Sequence, residues 1–313
     1  MTSHTNEKQS GRMSSRQHNE TIMAWIFSTP AIIFLVTFLV VPFFMAFWLS
    51  FTDQRLIPNP RLPTRFIGFR NFSRLLTDKD FFQAIFNNFY FVVIVVPIQT
   101  SLALLLAILV NQKIRAVNLF RTIYFSPVVV TMVVVSIIWK FMYNPGEGMI
   151  NAFIQWISFG HLSPYNWLDD PVLALPAIMV LSIWQGVGFQ MIIYLAGLQE
   201  IPGSLYEAAN IDGANPLQQF FHITIPQLRN TTIFVMMTTT ILAFRLFTQV
   251  YTMQGIGGHP QGTTRTMMLY TFNQGFRQGK IGYASAVTVV FFLIVLAASM
   301  IQRVFLREER EVQ

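Results

Sequence analysis

Glu200-Ile-Pro-Gly-Ser-Leu-Tyr-Glu-Ala-Ala-Asn-Ile-Asp-Gly-Ala-Asn-Pro-Leu-Gln-Gln-Phe-Phe-His-Ile-Thr-Ile-Pro-Gln-Leu-Arg229 is punctuated like two short helices at a bend. Ser204 stands three residues before Glu207, the spacing of a capping box in which hydroxyl and carboxylate each satisfy a free backbone N–H. Asp212-Gly213 would end this first helix, glycine supplying the positive φ that a helix C-terminus commonly adopts. Asn215-Pro216 restarts the chain, with Asn as cap and Pro at the first helical position, where a missing N–H costs nothing. Each helix carries an apolar face at three-and-four spacing: Leu205, Ala208 and Ala209 on the first, Leu217, Phe220 and Phe221 on the second. Such faces need something to bury against. Gln199 to Leu228 contains no Lys or Arg, which argues against a helix lying on the membrane surface and for a groove in another protein.

On both sides of this loop the chain turns apolar. Pro171 to Gln199 has no charged residue, and Asn230 to Tyr251 is interrupted only by Arg245. Thr21 to Thr52, Phe81 to Gln112, Thr122 to Trp139 and Ile281 to Gln302 are charge-free as well. About 20 apolar residues cross the hydrocarbon layer, so these runs predict six spans. Each must be helical, because an open sheet edge in lipid would leave backbone N–H and C=O groups unpaired. Pro42, Pro97, Pro127 and Pro176 read as kinks within spans rather than as their ends. The expected fold is all-α, a polytopic membrane protein of six transmembrane helices.

Composition agrees. The 313 residues are 53% hydrophobic and 11% charged, with 31 Phe, far below the charge content of a soluble domain. The net charge of +7 lies in short polar gaps rather than along one stripe, which speaks for membrane flanks and against nucleic acid. Cysteine is absent, excluding a disulfide, a thiolate metal site and a catalytic thiol. The segment before the first span, with Lys8, Arg12 and Arg16, is too polar to bury and is expected as a mobile tail. The run that follows exceeds the roughly 7–15 residues of a secretory h-region and is expected to remain in the protein. Lys and Arg are almost balanced between the two sets of loops, so charge bias leaves the orientation open.

Glu207-Ala208-Ala209, three residues, Gly213, nine residues, then Ile223-x-x-Pro226 resembles the EAA loop of binding-protein-dependent ABC importer permeases. The match departs at Ile225, where that family favours Leu. Leu198, Ile201-Pro202, Tyr206 and Ile211-Asp212-Gly213-Ala214 are similar to the carbohydrate subgroup, especially permeases of maltose and glycerol-phosphate type. The resemblance implies a type-I importer architecture in the bacterial inner membrane with both termini cytoplasmic. It divides the chain into a cytoplasmic tail (1–22), a first span (23–52), a periplasmic loop (53–80), a core of five helices (81–305, with the EAA loop at 200–229) and a cytoplasmic tail (306–313). It implies a separate ATPase subunit dimer that receives the loop and binds the ATP, so that this chain needs no cofactor. It implies also a second permease, non-identical by analogy with the subgroup, and a solute-binding protein on the outer face. Glu207 would pair with a basic residue of the ATPase, Ala208 and Ala209 would allow close approach, Gly213 would permit the bend, and Pro226 completes the motif. Whether Glu207 docks, closes its own capping box, or does both stays open at this point.

The same resemblance puts the substrate among the fourth and fifth spans. Trp184, Gly186, Phe189 and Gln190 are the candidates on the fourth, with Gln185 beside them, and Thr239, Phe244, Arg245 and Gln249 on the fifth. Aromatic faces and amides suit a sugar, whose C–H faces stack while its hydroxyls hydrogen-bond. Leu242, Ala243 and Leu246 stand where maltose-type permeases carry more polar residues. Arg245 would cost roughly 2.5–3.5 kcal/mol at mid-span. It reads either as a donor facing a watery path or as a snorkelling side chain.

On the opposite side, Asn144 to Asp170 and the Gly257-Gly258-His259-Pro260 segment resemble loops that receive the binding protein. His259 and the Gly pairs read as turn chemistry rather than a metal site. Arg55, Arg61, Arg65, Arg70, Arg74 and Lys79, against Asp53, Asp78 and Asp80, make the first loop a charged, solvated run. No Gly-x4-Gly-Lys-Ser/Thr loop is present for ATP, no regularly spaced Arg for a voltage sensor, and no His-Glu-x-x-His. A transporter subunit rather than an enzyme is therefore expected, with a six-helix channel or membrane enzyme uncoupled from any ATPase as the alternative.

Overall fold

Every long apolar run becomes helix in the computed structural model, which describes residues 15–57, 63–112 and 117–306. The elements are α1 (Ser15–Leu35), α2 (Val41–Leu49), α3 (Arg70–Leu75), α4 (Lys79–Asn111), α5 (Val117–Val129), α6 (Met132–Met142) and α7 (Met149–Ile157). They continue with α8 (Ala174–Glu200), α9 (Gly203–Ile211), α10 (Pro216–Gln219), α11 (Ile225–Gln227), α12 (Arg229–Phe244), α13 (Thr248–Gln254), α14 (Met267–Phe272) and α15 (Ile281–Leu306). Among the described residues there is no strand, only an antiparallel bridge between Thr52 and Phe66. Five segments among the described residues are long and apolar enough to span a membrane: Glu20–Leu49, α4, α8, Arg229–Gln254 and the last helix. The sixth expected span is α5 with α6, bent by 99°.

That bend corrects the reading of Thr122 to Trp139 as one kinked helix. Pro127 removes the N–H that would reach the Ile123 carbonyl, and the Ser126 hydroxyl donates to that carbonyl instead, at 3.0 Å. The helix then stops at Val129 and restarts at Met132 in a new direction. Pro176 is no kink either, since it lies in the first turn of α8, where no carbonyl needs its N–H. Pro42 follows a π-turn at Val36–Val40, in which the Val41 N–H reaches back to Val36. The wider turn makes room for the ring that an α-turn would clash with. α1 begins at Ser15, inside the segment expected as a tail, while the remainder of that tail and residues 307–313 lie outside the described residues.

The centre of the fold is α4 against α8, joined by α12 and α15. Small residues let the first two approach closely: Ala84, Ala103, Ala107 and Ala177 are almost fully buried. Glu20–Leu49 instead leaves its apolar side chains outside the core and touches it mainly through α2 on α15.

Polar side chains tie the non-helical pieces to this core. α12 breaks at Arg245–Phe247, freeing carbonyls at membrane depth, and Asn88 of α4 donates to the Phe244 oxygen at 2.9 Å. Its own oxygen accepts from the Met267 N–H at 2.7 Å, and Thr266 donates to the Leu246 oxygen at 2.8 Å. A broken helix is tolerated there because the surrounding protein satisfies the freed groups. At the N-terminus of α4, Asp78 caps the Asp80 and Phe81 N–H groups and accepts hydroxyls from Tyr270 (2.6 Å) and Tyr283 (2.7 Å). Burial opposes its charge, but these donors outweigh it and hold the carboxyl below the usual range.

Candidate functional site

The 200–229 loop folds as two short helices, with one correction to its caps. α9 starts at Gly203 with Pro202 as its N-cap residue, so Ser204 is already helical and no Ser204–Glu207 capping box forms. Pro202 fixes φ in a suitable range and lacks an N–H, so the helix begins on it before Ser204 can cap. The Glu207 carboxylate has no ion-pair or hydrogen-bond partner among the described residues, and the side chain is exposed. The capping box exists one helix later, where Asn215 accepts the Gln218 N–H at 2.9 Å and the Gln218 side chain accepts the Asn215 N–H at 2.8 Å.

Gly213 ends α9 at φ +77°. The Ala214 N–H reaches the Ala209 oxygen at 2.9 Å and the Gly213 N–H reaches Asn210 at 3.1 Å, the paired bonds of a Schellman motif. A Cβ added at Gly213 would meet nothing within 4 Å, so backbone conformation, not space, requires glycine here. The Gln219 amide donates to the Asn210 side chain (2.6 Å) and the Ala214 carbonyl (3.1 Å), and the Tyr206 and Thr224 hydroxyls share a bond of 2.9 Å. A π-turn at Phe220–Thr224 precedes Pro226, repeating the arrangement before Pro42.

The loop is thus braced internally while its apolar faces stay open. Ile211 is 88% exposed, Leu217 66%, Phe221 57% and Leu205 38%. Ala208 is exposed, and Ala209 and Phe220 are half-buried. The result is an exposed apolar ridge that carries carboxylates, Glu207 among them, and no Lys or Arg.

The two helices that emerge from this loop also wall a cavity of about 220 Å³. α8 contributes Ser182, Gln185, Gly186 and Gln190, and α12 contributes Thr239, Leu242 and Ala243. Gln99 of α4 and Gln249 of α13 complete its polar lining. Gly186, Gln190, Thr239 and Gln249 are therefore brought together as the sequence suggested. The Gln190 amide donates to the Thr239 hydroxyl, and its buried carbonyl oxygen has no protein partner. Gly186 leaves room for Gln99: a Cβ there would collide with the Gln99 amide. No lining side chain is ionisable.

Four other expected path residues lie off this cavity. Trp184 points away from it and packs on Trp139, ring centroids 5.5 Å apart. Phe189 is 47% exposed on the outside of α8. Phe244 is a core residue, 1% exposed, between Phe89 and Phe291. Arg245 sits at the helix break as the C-cap of α12, exposed rather than facing the cavity. Helical phase places Trp184 on the side of α8 opposite 182, 185, 186 and 190, whereas Phe189, three residues from Gly186 and four from Gln185, shares their side and is still left outside the wall. Gln99 and Ser182 were missed; an isolated amide or hydroxyl in an apolar run was the available signal.

On the far side of the membrane the expected loops meet. His259 Nδ1 lies 3.7 Å from Asp169, and the Gln254 amide donates to the Leu168 carbonyl at 2.8 Å. Among the described residues no cluster of three metal-ligating side chains exists.

A helical membrane protein whose inter-span loop presents an exposed apolar ridge, and whose flanking helices enclose a polar cavity, has the form of a transport component. Residues 72–311 match the family described as binding-protein-dependent transport system inner membrane component, and the chain belongs to that family. It is 36% identical over 301 residues to the lactose transport system permease protein LacF of Rhizobium radiobacter, spanning 95% of this chain and 98% of that protein. The probable ABC transporter permease protein YurN of Bacillus subtilis (strain 168) is 34% identical over 298 residues, 93% and 98% of the two chains. The trehalose/maltose transport system permease protein MalF of Thermococcus litoralis is 32% identical over 289 residues, 92% and 95%. The fold matches a chain in the crystal structure of a bacterial ABC transporter that imports the acidic polysaccharide alginate, with a TM-score of 0.80 at 22% identity over 96% of this chain and all of that one. The protein is a multi-pass transporter permease subunit, not an enzyme, and the uncoupled channel and membrane-enzyme alternatives fall away.

Proposed function

We propose that this chain carries a neutral sugar across the bacterial inner membrane, and that a separate ATPase drives it through the 200–229 loop. The observation that carries this reading is the connection between loop and cavity. Gln190 lies ten residues before the end of α8 and Thr239 ten residues after the start of α12, about 15 Å along each helix at 1.5 Å per residue. A site half-way through a roughly 30 Å hydrocarbon layer is therefore hinged on both walls to one exposed loop. A displacement of α9 and α10 moves both walls together, opening the cavity to one side or the other.

In this reading the loop faces the cytoplasm, as do both termini, and Glu207 meets a basic residue of the ATPase as Leu205, Ile211, Leu217 and Phe221 become buried. Ala208, Ala209, Gly213 and Pro226 shape that contact. ATP is bound by the ATPase dimer, so this chain needs no cofactor. A second, non-identical permease completes the path, and a solute-binding protein delivers substrate to the loops around Asp169 and His259.

The cavity chemistry supports a neutral substrate. Amides and hydroxyls from Gln99, Ser182, Gln185, Gln190, Thr239 and Gln249 match sugar hydroxyls, whereas a buried anion would find no counter-charge. Relatives named for lactose and for trehalose and maltose support the same class. Uptake of labelled lactose, maltose and trehalose into cells expressing the complete transporter tests the assignment. Gln190→Leu, which removes an unpartnered buried acceptor from the cavity wall, is expected to reduce uptake about tenfold or more at unchanged protein level; wild-type uptake by this variant, or transport confined to charged solutes, would overturn it.

A further inference from the structure

A second cavity is distant from the sugar path. It measures about 610 Å³ and lies where the end of the first span, α3 and the start of α15 meet, at the face opposite the 200–229 loop. Arg55, Arg70, Arg74 and Lys280 line it, against one carboxylate, Asp53. Asp53 already accepts the Arg65 N–H at 2.6 Å. Among the described residues none of the four cations has a carboxylate within 4.0 Å. Arg70 and Arg74 are four apart on α3, so two like charges share one helix face without neutralisation.

The walls are held by the backbone. Asn71 donates to the Ser50 and Thr52 carbonyls at 2.8 and 2.9 Å. The Leu56 N–H bonds Gly279 and the Gly282 N–H bonds Gln54, each at 2.9 Å, stitching the first loop to the start of α15. Arg74 lies over the Tyr283 ring, 4.6 Å from its centroid. Beside the cavity Trp48, Phe51, Phe66 and Phe69 form an aromatic cluster, with Trp48 63%, Phe66 66% and Phe69 73% exposed. Exposed aromatics at the end of a span belong at the level of the lipid headgroups.

We propose that this cavity is a binding site for a phosphate group, supplied by the headgroup of an anionic phospholipid in the outer half of the bilayer. Arg guanidinium groups present paired donors that fit phosphate oxygens, and Lys280 adds a compact charge. The aromatic cluster provides the apolar border along which acyl chains run. A bound headgroup neutralises the Arg70/Arg74 pair and reinforces the packing of the end of the first span against α15.

The full chain, purified in neutral detergent, is titrated with a short-chain phosphatidylglycerol, and separately with inorganic phosphate and a short-chain phosphatidylcholine, while its melting temperature is followed. Phosphatidylglycerol is expected to give a saturable rise that weakens with salt, and phosphatidylcholine none. An equal saturable rise with inorganic phosphate would keep the phosphate site but assign it to the free anion instead of the lipid. The double variant Arg70→Gln/Arg74→Gln is expected to lose at least tenfold in apparent affinity, while Arg277→Gln, which does not line the cavity, retains it. If the double variant fails to fold, Arg55→Gln and Lys280→Gln are titrated singly, each expected to lose several-fold. Absence of a saturable response to either phosphate probe, or variants that bind like the wild type, would overturn the proposal.

Discussion

Single residues in the 200–229 loop can be separated into those that fold it and those that it presents. Glu207 has no partner within the described chain, so Glu207→Ala should leave membrane insertion and melting temperature unchanged. Stimulation of the partner ATPase in reconstituted complexes should fall several-fold; full stimulation would remove Glu207 from the contact. Gly213 acts through φ, not through contact. Gly213→Val forces a β-branched residue into left-handed backbone, at about 1–2 kcal/mol or more, and should cost copurification of the ATPase. Gly213→Asn, which tolerates that conformation, should retain most of it. Asp78 is a folding residue on the other face, and its acid dependence has a definite sign. Because its folded pKa lies below the usual value of about 4, its contribution is complete above that value and is lost as pH falls through the lower folded value. Thermal melts taken downward from about pH 6 should therefore drop more steeply below pH ~4 for the wild type than for Asp78→Asn, which starts lower.

At the level of elements, the breaks are as informative as the helices. The interruption between α12 and α13 survives because Asn88 and Thr266 satisfy the carbonyls it frees. Asn88→Leu would leave the Phe244 carbonyl and the Met267 N–H buried and unpaired, at about 1–3 kcal/mol for each group. A clear fall in melting temperature in detergent is expected, and an unchanged value would show that the break is not held by this contact. π-turns before Pro42 and Pro226 play a similar part, giving the proline ring space without ending the helical path. In the sequence Pro42, Pro127 and Pro176 read alike as kinks. Their outcomes diverge, a π-turn at Pro42, a first-turn position at Pro176 and a 99° bend after Pro127, because neighbouring donors and helix phase differ. A proline states only which N–H is missing.

For the molecule as a whole, orientation is the property on which the mechanism turns. Because the chain contains no cysteine, a single introduced one reports its side of the membrane without background. Ile211→Cys, at an 88% exposed position, should react with an impermeant maleimide only in inverted vesicles, and Gln278→Cys only in right-side-out ones. The reverse pattern would refute the coupling role of the loop. The sequence by itself determined the helical membrane fold, five of its spans and the bent loop, since hydrocarbon length, backbone pairing and cap chemistry are local constraints carried by a few consecutive residues. It also marked Gly186, Gln190, Thr239 and Gln249, because amides and small residues are conspicuous within apolar runs. Only the tertiary structure decided that Gln99 and Ser182 share their cavity, that Trp184, Phe189, Phe244 and Arg245 do not, and that Glu207 is left unpaired. It likewise gathered Arg55, Arg70, Arg74 and Lys280 from distant parts of the chain into one pocket. Those outcomes depend on helix phase and on which helices pack together, and neither is written in the neighbourhood of any single residue.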